Sequence, residues 1–295
     1  MKSKLIYILP LMTLTAFSSC RKEDKVDPDN SIFVDSDGTG AAKSEFDIWL
    51  QKSITYPYNI EMLYKYDDVN TSPQYILVPA ILENAQKFAQ VIKYAWLEAY
   101  DETAGLHFTR QYAPKQIVFV GSVADNGDGS KTLATAEGGV KVTLYELNDL
   151  KLTVDEVSQY FHIMHHEFSH ILHQTKNYTP DFGRISETDY LADDWIGQSD
   201  ANAQKKGFVS AYAMNEPNED FAETYSLYIT SSDVAWNKIL NSAGDSGKPI
   251  ILRKLQIIRD YIENSWGFNL EDLRANVLRR TAKVPTMDFI KFNNN

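Results

Sequence analysis

The chain has a single cysteine, Cys20, among 295 residues, so it can close no internal disulfide and its fold must rest on its core. Positive charge is also scarce: 29 Lys and Arg stand against 40 Asp and Glu, a formal net charge of −11. This disfavours a nucleic-acid partner, because binding phosphates needs a basic face that such a balance does not supply. An apolar run of the ~20 residues needed to span a membrane is missing as well; residues 5–17 have the length of a secretory signal instead. What is present is 43% apolar residues, enough for one substantial core or two small ones.

Lys2 and Lys4 precede the apolar run, and Phe17-Ser18-Ser19-Cys20 follows it. Small residues leading to a cysteine resemble a bacterial lipobox, which implies a signal peptide over residues 1–19, cleavage before Cys20 and lipid on its sulfur. The alternative is an ordinary signal peptide with an incidental cysteine. Arg21-Lys22-Glu23-Asp24-Lys25 resemble the charged tags that send some lipoproteins of gut-type Gram-negative bacteria to the outer face of the outer membrane. The expectation is an outer-membrane lipoprotein at the cell surface. Residues 20–45 are rich in Asp, Gly and Ser and read as a flexible tether, leaving 46–290 as one domain. Asp35-Ser36-Asp37-Gly38 has the look of a calcium loop but lacks the remaining ligands, and reads as a solvated turn.

Along that domain, residues 46–52 suit a short helix, and Ile60, Met62, Tyr64 and Tyr66 alternate as in a half-buried strand. Residues 79–100 carry apolar side chains three and four apart and predict a long helix. Strands are predicted at 116–120, 131–136 and 140–147; in the last, Val140, Val142 and Leu144 mark one buried face. Toward the end, Ile251, Leu255, Ile258 and Ile262 form a helical stripe, and Asn269 begins another with Leu270, Leu273 and Val277. Trp236 and Trp266 read as core residues. The fold class is α+β, a small mixed sheet with a mainly helical C-terminal part.

Five of the six histidines fall within residues 153–174, TVDEVSQYFHIMHHEFSHILHQ. Thr153 and Glu156 fit a capping box, and Leu152 with Val157 the accompanying hydrophobic staple, which sets the histidines well inside a helix. His166-Glu167-Phe168-Ser169-His170 spells H-E-x-x-H. Four residues are about 40° of turn and roughly 6 Å of rise, so both imidazoles can reach one ion while Glu167 stands ready as a base for its water. His162, His165 and His173 read as bystanders of a histidine-rich helix.

A catalytic zinc takes three protein ligands and leaves a position for water. The metzincin continuation fails, since His173 stands where glycine is required and Lys176 where a third histidine should be. A carboxylate remains, from residues 187–194, ETDYLADD, or from 212–225, YAMNEPNEDFAETY. The second is preferred. Asn215 and Pro217 offer a helix start, and Phe221, Leu227 and Tyr228 an inward face. Glu219 and Glu223 lie four apart, so one can bind metal while the other orients a histidine, and Tyr212 can return its hydroxyl to the site. Glu187 or Asp189 stays open as ligand, although their stretch has no apolar helical stripe and reads as a loop or lid beside the cleft.

The order of strand, long helix, three strands and motif helix resembles the zincin half-domain, which implies that residues 131–139 form an edge for an extended substrate. Tyr212, Asn215-Glu216 and Glu219-Asp220-Phe221-Ala222-Glu223 are similar to the second motif of the anthrax lethal factor protease domain. Carried over, Glu219 is the third ligand and Tyr212 the oxyanion partner, with Asp220 where that family has an aromatic residue. The whole chain resembles the substrate-import-associated zinc metallohydrolase lipoproteins encoded beside SusC/SusD-type importers. That resemblance implies a cell-surface zinc peptidase trimming peptides or glycoproteins before uptake, with His166, His170 and Glu219 on zinc, Glu167 as base, Tyr212 as oxyanion partner and Glu223 behind a histidine. The rival expectation is a non-catalytic capture lipoprotein of an importer complex with a vestigial metal site; the intact Glu167 speaks against it.

Overall fold

The computed structural model describes residues 43–127, 131–137 and 139–292; Cys20, the signal segment and most of the tether lie outside them. Six strands are found among the described residues: β1 (Glu61–Leu63), β2 (Gln116–Phe119), β3 (Ala124–Asp125), β4 (Lys131–Thr132), β5 (Ala134–Glu137) and β6 (Lys141–Leu144). Four of them make one sheet in the order β1-β2-β6-β5, and β3 pairs only with β4. The first three strands of the sheet run parallel, and β5 runs antiparallel to β6 with Ala136 opposite Val142. The predicted edge over 131–139 is therefore divided: β5 is the outer strand of the sheet, while β4 belongs to the small pair.

Parallel neighbours need a long crossover, and between β1 and β2 helices supply it. Leu82–Val91 continues through a π-helical turn, Ile92–Leu97, into Glu98–Ala104. The helix begins later than its periodicity predicts, because the preceding backbone is in use elsewhere. Pro79 bridges to Val120, and its carbonyl accepts a hydrogen bond from Asn148 Nδ2 at 3.1 Å. Strand β6 also departs from the one-sided pattern. Val142 and Leu144 are buried as expected, but so are Thr143 and Tyr145, whereas Val140 is 55% exposed. The second face of the sheet is covered by its own cluster, Val118, Val120, Ala124 and Tyr145 beneath Tyr75 and Leu77.

The motif helix, Val154–Thr175, packs on the other face. Thr153 caps it by accepting from the Glu156 N–H. The capping box is only half formed: the Glu156 carboxylate takes the N–H of Lys151 at 2.8 Å, reaching past Leu152, whose φ is 55°. Tyr160 donates its hydroxyl to the Tyr145 carbonyl at 2.7 Å, and Phe168 meets Trp96 and Tyr100 edge to face, which fixes the rotation of the helix on the core. Gly139 closes the arrangement from the strand side. Its φ is +70°, and a Cβ there would stand 2.7 Å from Ile171 Cγ1, so the β5–β6 turn passes against the helix beside His170 and only glycine fits.

The C-terminal part is helical. Pro217–Thr230, called here the acidic helix, lies beside the motif helix and starts with Pro217 in its first position; Glu216 is the N-cap residue, and Asn215 lies one residue before it. Asp233–Tyr261 is two helices meeting at Gly244, which has φ 62° and ψ −163°. Ile251, Leu255, Ile258 and Ile262 are fully buried, as their spacing predicts. Leu270–Lys283 follows, capped by the Asn269 side chain accepting from Glu271 N and Asp272 N. Trp236 is buried and Trp266 packs half-buried on the same core. No helix among the described residues is long and apolar enough to cross a membrane.

Candidate metal centre

One turn of the motif helix brings His166 and His170 to the same side, and their Nε2 atoms lie 3.1 Å apart. The acidic helix sets Glu219 between them, with Oε2 2.9 Å from His166 Nε2 and 3.4 Å from His170 Nε2. Glu223, one turn further on, lies behind His166: its Oε1 accepts from His166 Nδ1 at 2.9 Å and from His162 Nε2 at 2.9 Å. Its other oxygen accepts from Ser210 Oγ at 2.6 Å. Glu219 and Glu223 thus face two sides of one imidazole.

The electrostatics of this cluster favour a cation. Burial works against a charged His166, yet its hydrogen bonds to Glu219 and Glu223 outweigh burial and push its pKa up to about 9. Burial would raise both carboxylates, but the histidines hold Glu219 and Glu223 well below the usual carboxylate range. Zinc suits the donor set. With its Nδ1–H given to Glu223, a neutral His166 presents a lone pair from Nε2, and His170 presents another from the opposite side. Two imidazole nitrogens and a carboxylate oxygen then converge on one point. A tetrahedral ion with bonds of ~2.0–2.1 Å holds its ligand atoms ~3.3 Å apart, close to the three spacings found here. His166, His170 and Glu219 form one group able to hold an ion; His162, His166 and Glu223 form a second, sharing His166. Neither Glu187 nor Asp189 belongs to such a group among the described residues.

Glu167 projects from the same helix, and its carboxyl pKa is raised by burial and by the Glu219 charge, against the pull of His166 and His170. A carboxyl moved up in this way is closer to the neutral range where a proton shuttle works best. Tyr212 belongs to a short 3-10 turn, Tyr212–Met214, and its ring stacks on His166 at 5.7 Å between centroids. Burial and the Glu219 carboxylate hold its phenol protonated, so it is a hydrogen-bond donor at any physiological pH. Trp195 meets Tyr212 edge to face at 4.9 Å between centroids. It directly follows the ETDYLADD stretch, whose end runs into the turn Ala192–Gly197 and which is tied to the Tyr212 turn by Leu191 N–H to Met214 O and Ala192 N–H to Asn215 O.

The three histidines read as bystanders are all engaged. His165 is fully buried on the core side, 2.7 Å from the Tyr100 hydroxyl, and burial pushes its pKa down to about 3. His162 reaches Glu223. His173 Nε2 is 2.8 Å from His170 Nδ1, and burial pushes its pKa down to about 4. The available signal was spacing: His162 is four before His166 and His173 three after His170, so both share the motif's face, while His165 lies about 100° away from His166. Ser210 carried no signal, since its role depends on where the loop before Tyr212 is led.

An α+β domain whose buried helix presents His166 and His170 to a carboxylate from a second helix has the make-up of a zinc-dependent peptidase. The comparisons with known proteins agree, and the chain belongs to the family described as "Putative zinc-binding metallo-peptidase", which matches residues 39–271. It is also similar to a crystal structure of a protein of that description from Bacteroides caccae, with 42% identity and a TM-score of 0.76, over 84% of this chain and 97% of the other. No curated protein matches it.

Proposed function

We propose that the protein is an active peptidase that hydrolyses amide bonds in peptides or glycoproteins, with zinc held by His166, His170 and Glu219. The observation that carries this reading is the convergence of three lone-pair donors, 2.9 to 3.4 Å apart, at the helix that also carries Glu167, whose pKa is raised. Bound zinc would supply a Lewis acid for the scissile carbonyl and a water acidified toward neutrality. Glu167 would accept a proton from the attacking water and deliver it to the leaving amine. The Tyr212 hydroxyl donates to the carbonyl oxygen as negative charge grows there, an interaction that strengthens toward the transition state. Glu223, fixed by His162 and Ser210, holds His166 in the tautomer whose Nε2 is free. The outer strand β5, close to His170 through the Gly139–Ile171 contact, offers a backbone edge for an extended substrate.

The lipobox-like Cys20 and the charged residues after it support attachment to the outer membrane, at the cell surface, in support of a SusC/SusD-type importer. Zinc analysis together with peptide-library cleavage, comparing wild type with Glu167→Gln, tests the catalytic reading. Bound zinc in both proteins and cleavage only by the wild type is the expected result. Stoichiometric zinc with no cleavage of any peptide, protein or glycopeptide by the wild type would assign the domain to substrate capture instead. Lipid labelling lost in Cys20→Ser would support the anchor.

A further inference from the structure

The two histidines that face Glu219 are supported differently. His166 gives its Nδ1–H to the carboxylate of Glu223, whereas the Nδ1 of His170 faces another imidazole, His173 Nε2, at 2.8 Å. We infer that His173 is a positioning residue for the metal centre: by accepting the Nδ1–H of His170, it fixes that ring's tautomer and turns the Nε2 lone pair toward the ion. This rests on the reading that His170 is a zinc ligand.

The proton bookkeeping leaves one arrangement. If His173 donated from Nε2, His170 would carry its own proton on Nε2, aimed at His166 and Glu219, and could not bind an ion there. If His170 donates from Nδ1, its Nε2 is bare and His173 keeps its proton on Nδ1. The pair is also held mechanically. His173 is buried, its ring stands 79° to that of His170 at 5.1 Å, and it abuts Tyr178 at 5.7 Å and Phe221 at 6.2 Å. Phe221 is two residues beyond Glu219 on the acidic helix, so the ring that orients His170 is clamped against the element that delivers the carboxylate. Position 173 is where the metzincin pattern requires glycine, so this chain uses for ligand support a position which that pattern leaves without a side chain.

The test is zinc affinity, measured by competition with a chromophoric chelator on the full domain, with the visible spectrum of the cobalt-loaded protein as a second readout. His173→Phe removes the acceptor and should weaken zinc binding by about 10- to 100-fold, the loss usual for the outer partner of a ligand. His173→Gln, whose amide oxygen can accept the same proton, should recover most of that affinity and restore the cobalt spectrum. In a His170→Ala background there is no Nδ1–H to accept, and the Phe and Gln variants should bind zinc equally, however weakly. His173→Leu replaces His173→Phe if the latter does not fold. Wild-type affinity in the Phe or Leu variant, a Gln variant as weak as Phe, or a further loss in the His170→Ala background would each overturn the inference. A His170→Ala protein that binds zinc as tightly as wild type would instead remove the underlying zinc site, and this role with it.

Discussion

Glu219 and Asp220 are neighbours on the acidic helix, yet they serve two regions with opposite electrostatics. Asp220 turns into the core, where its carboxylate meets Lys254 Nζ at 2.7 Å, both side chains fully buried. Tyr190 donates to the same carboxylate at 2.8 Å, and Lys254 donates further to the Gly207 carbonyl at 2.9 Å. Glu219 turns the other way, to two imidazoles, and among the described residues no lysine or arginine pairs with it. One cluster has its cation built into the chain; the other gathers donors that a cation from outside would complete. The difference separates a structural charge pair from a binding site on a single turn of helix, and it explains how the sequence can hold an aspartate beside Glu219: Lys254 compensates it from the helix behind.

The comparison can be broken at either end. The largest effect is expected at the base: Glu167→Gln should lower kcat for any cleaved peptide by about 10²- to 10⁴-fold, the usual contribution of a positioned proton shuttle, while zinc content stays at wild-type level. Lost zinc in that variant would mean that Glu167 serves the site's structure. Lys254→Met strikes the other cluster and leaves Asp220 buried without a counter-charge, so about 3–5 kcal/mol of unfolding free energy should vanish in urea melts. Adding Asp220→Leu should recover much of the loss, since replacing both members of such a pair by apolar residues is often close to neutral. Should Lys254→Met leave stability unchanged, the two clusters would not differ as described.

How much of this was legible in the sequence depends on whether the controlling contact was local. The motif helix, its Thr153 cap, the stripe of Ile251, Leu255 and Ile258 and the Asn269 cap all follow from residues within a few positions of each other. Glu219 and Glu223 could be picked out as a pair because four-residue spacing puts two carboxylates on one face. Which imidazole each would meet was not local. It depends on the angle at which the acidic helix crosses the motif helix, and so His162 and His173 passed for bystanders although each shares the motif's face. Likewise Thr143 and Tyr145 alternate as an exposed face would, but residues some twenty and seventy positions earlier, Val120 and Tyr75 among them, fold over them. The late helix start at Leu82 follows from a bridge to Val120, forty residues away.

Smaller effects sharpen the contrast within the metal cluster itself. Tyr212→Phe keeps the ring that stacks on His166 and removes only the donor, so kcat should fall by about 10²- to 10³-fold with zinc affinity little changed. An unchanged kcat would take Tyr212 out of the reaction and leave it as packing against Trp195 and His166.

The last prediction uses zinc as the probe that only one of the two acidic clusters should sense. A ligand that binds the folded state alone stabilises it by RT ln(1 + [L]/Kd), about 2.7 kcal/mol when free zinc is a hundred times its Kd. Chelated protein titrated with zinc should gain that stability in thermal or urea melts, and Glu219→Gln should lose most of the gain because the third donor no longer carries a charge. Lys254→Met is expected to start from a lower baseline but to gain by a similar increment, since its damage lies on the far side of the acidic helix. If Lys254→Met abolished the zinc increment while Glu219→Gln preserved it, the roles assigned to the two neighbouring acids would have to be exchanged. If both variants lost half, the acidic helix would move as a unit, and the buried pair would be part of what holds Glu219 in place.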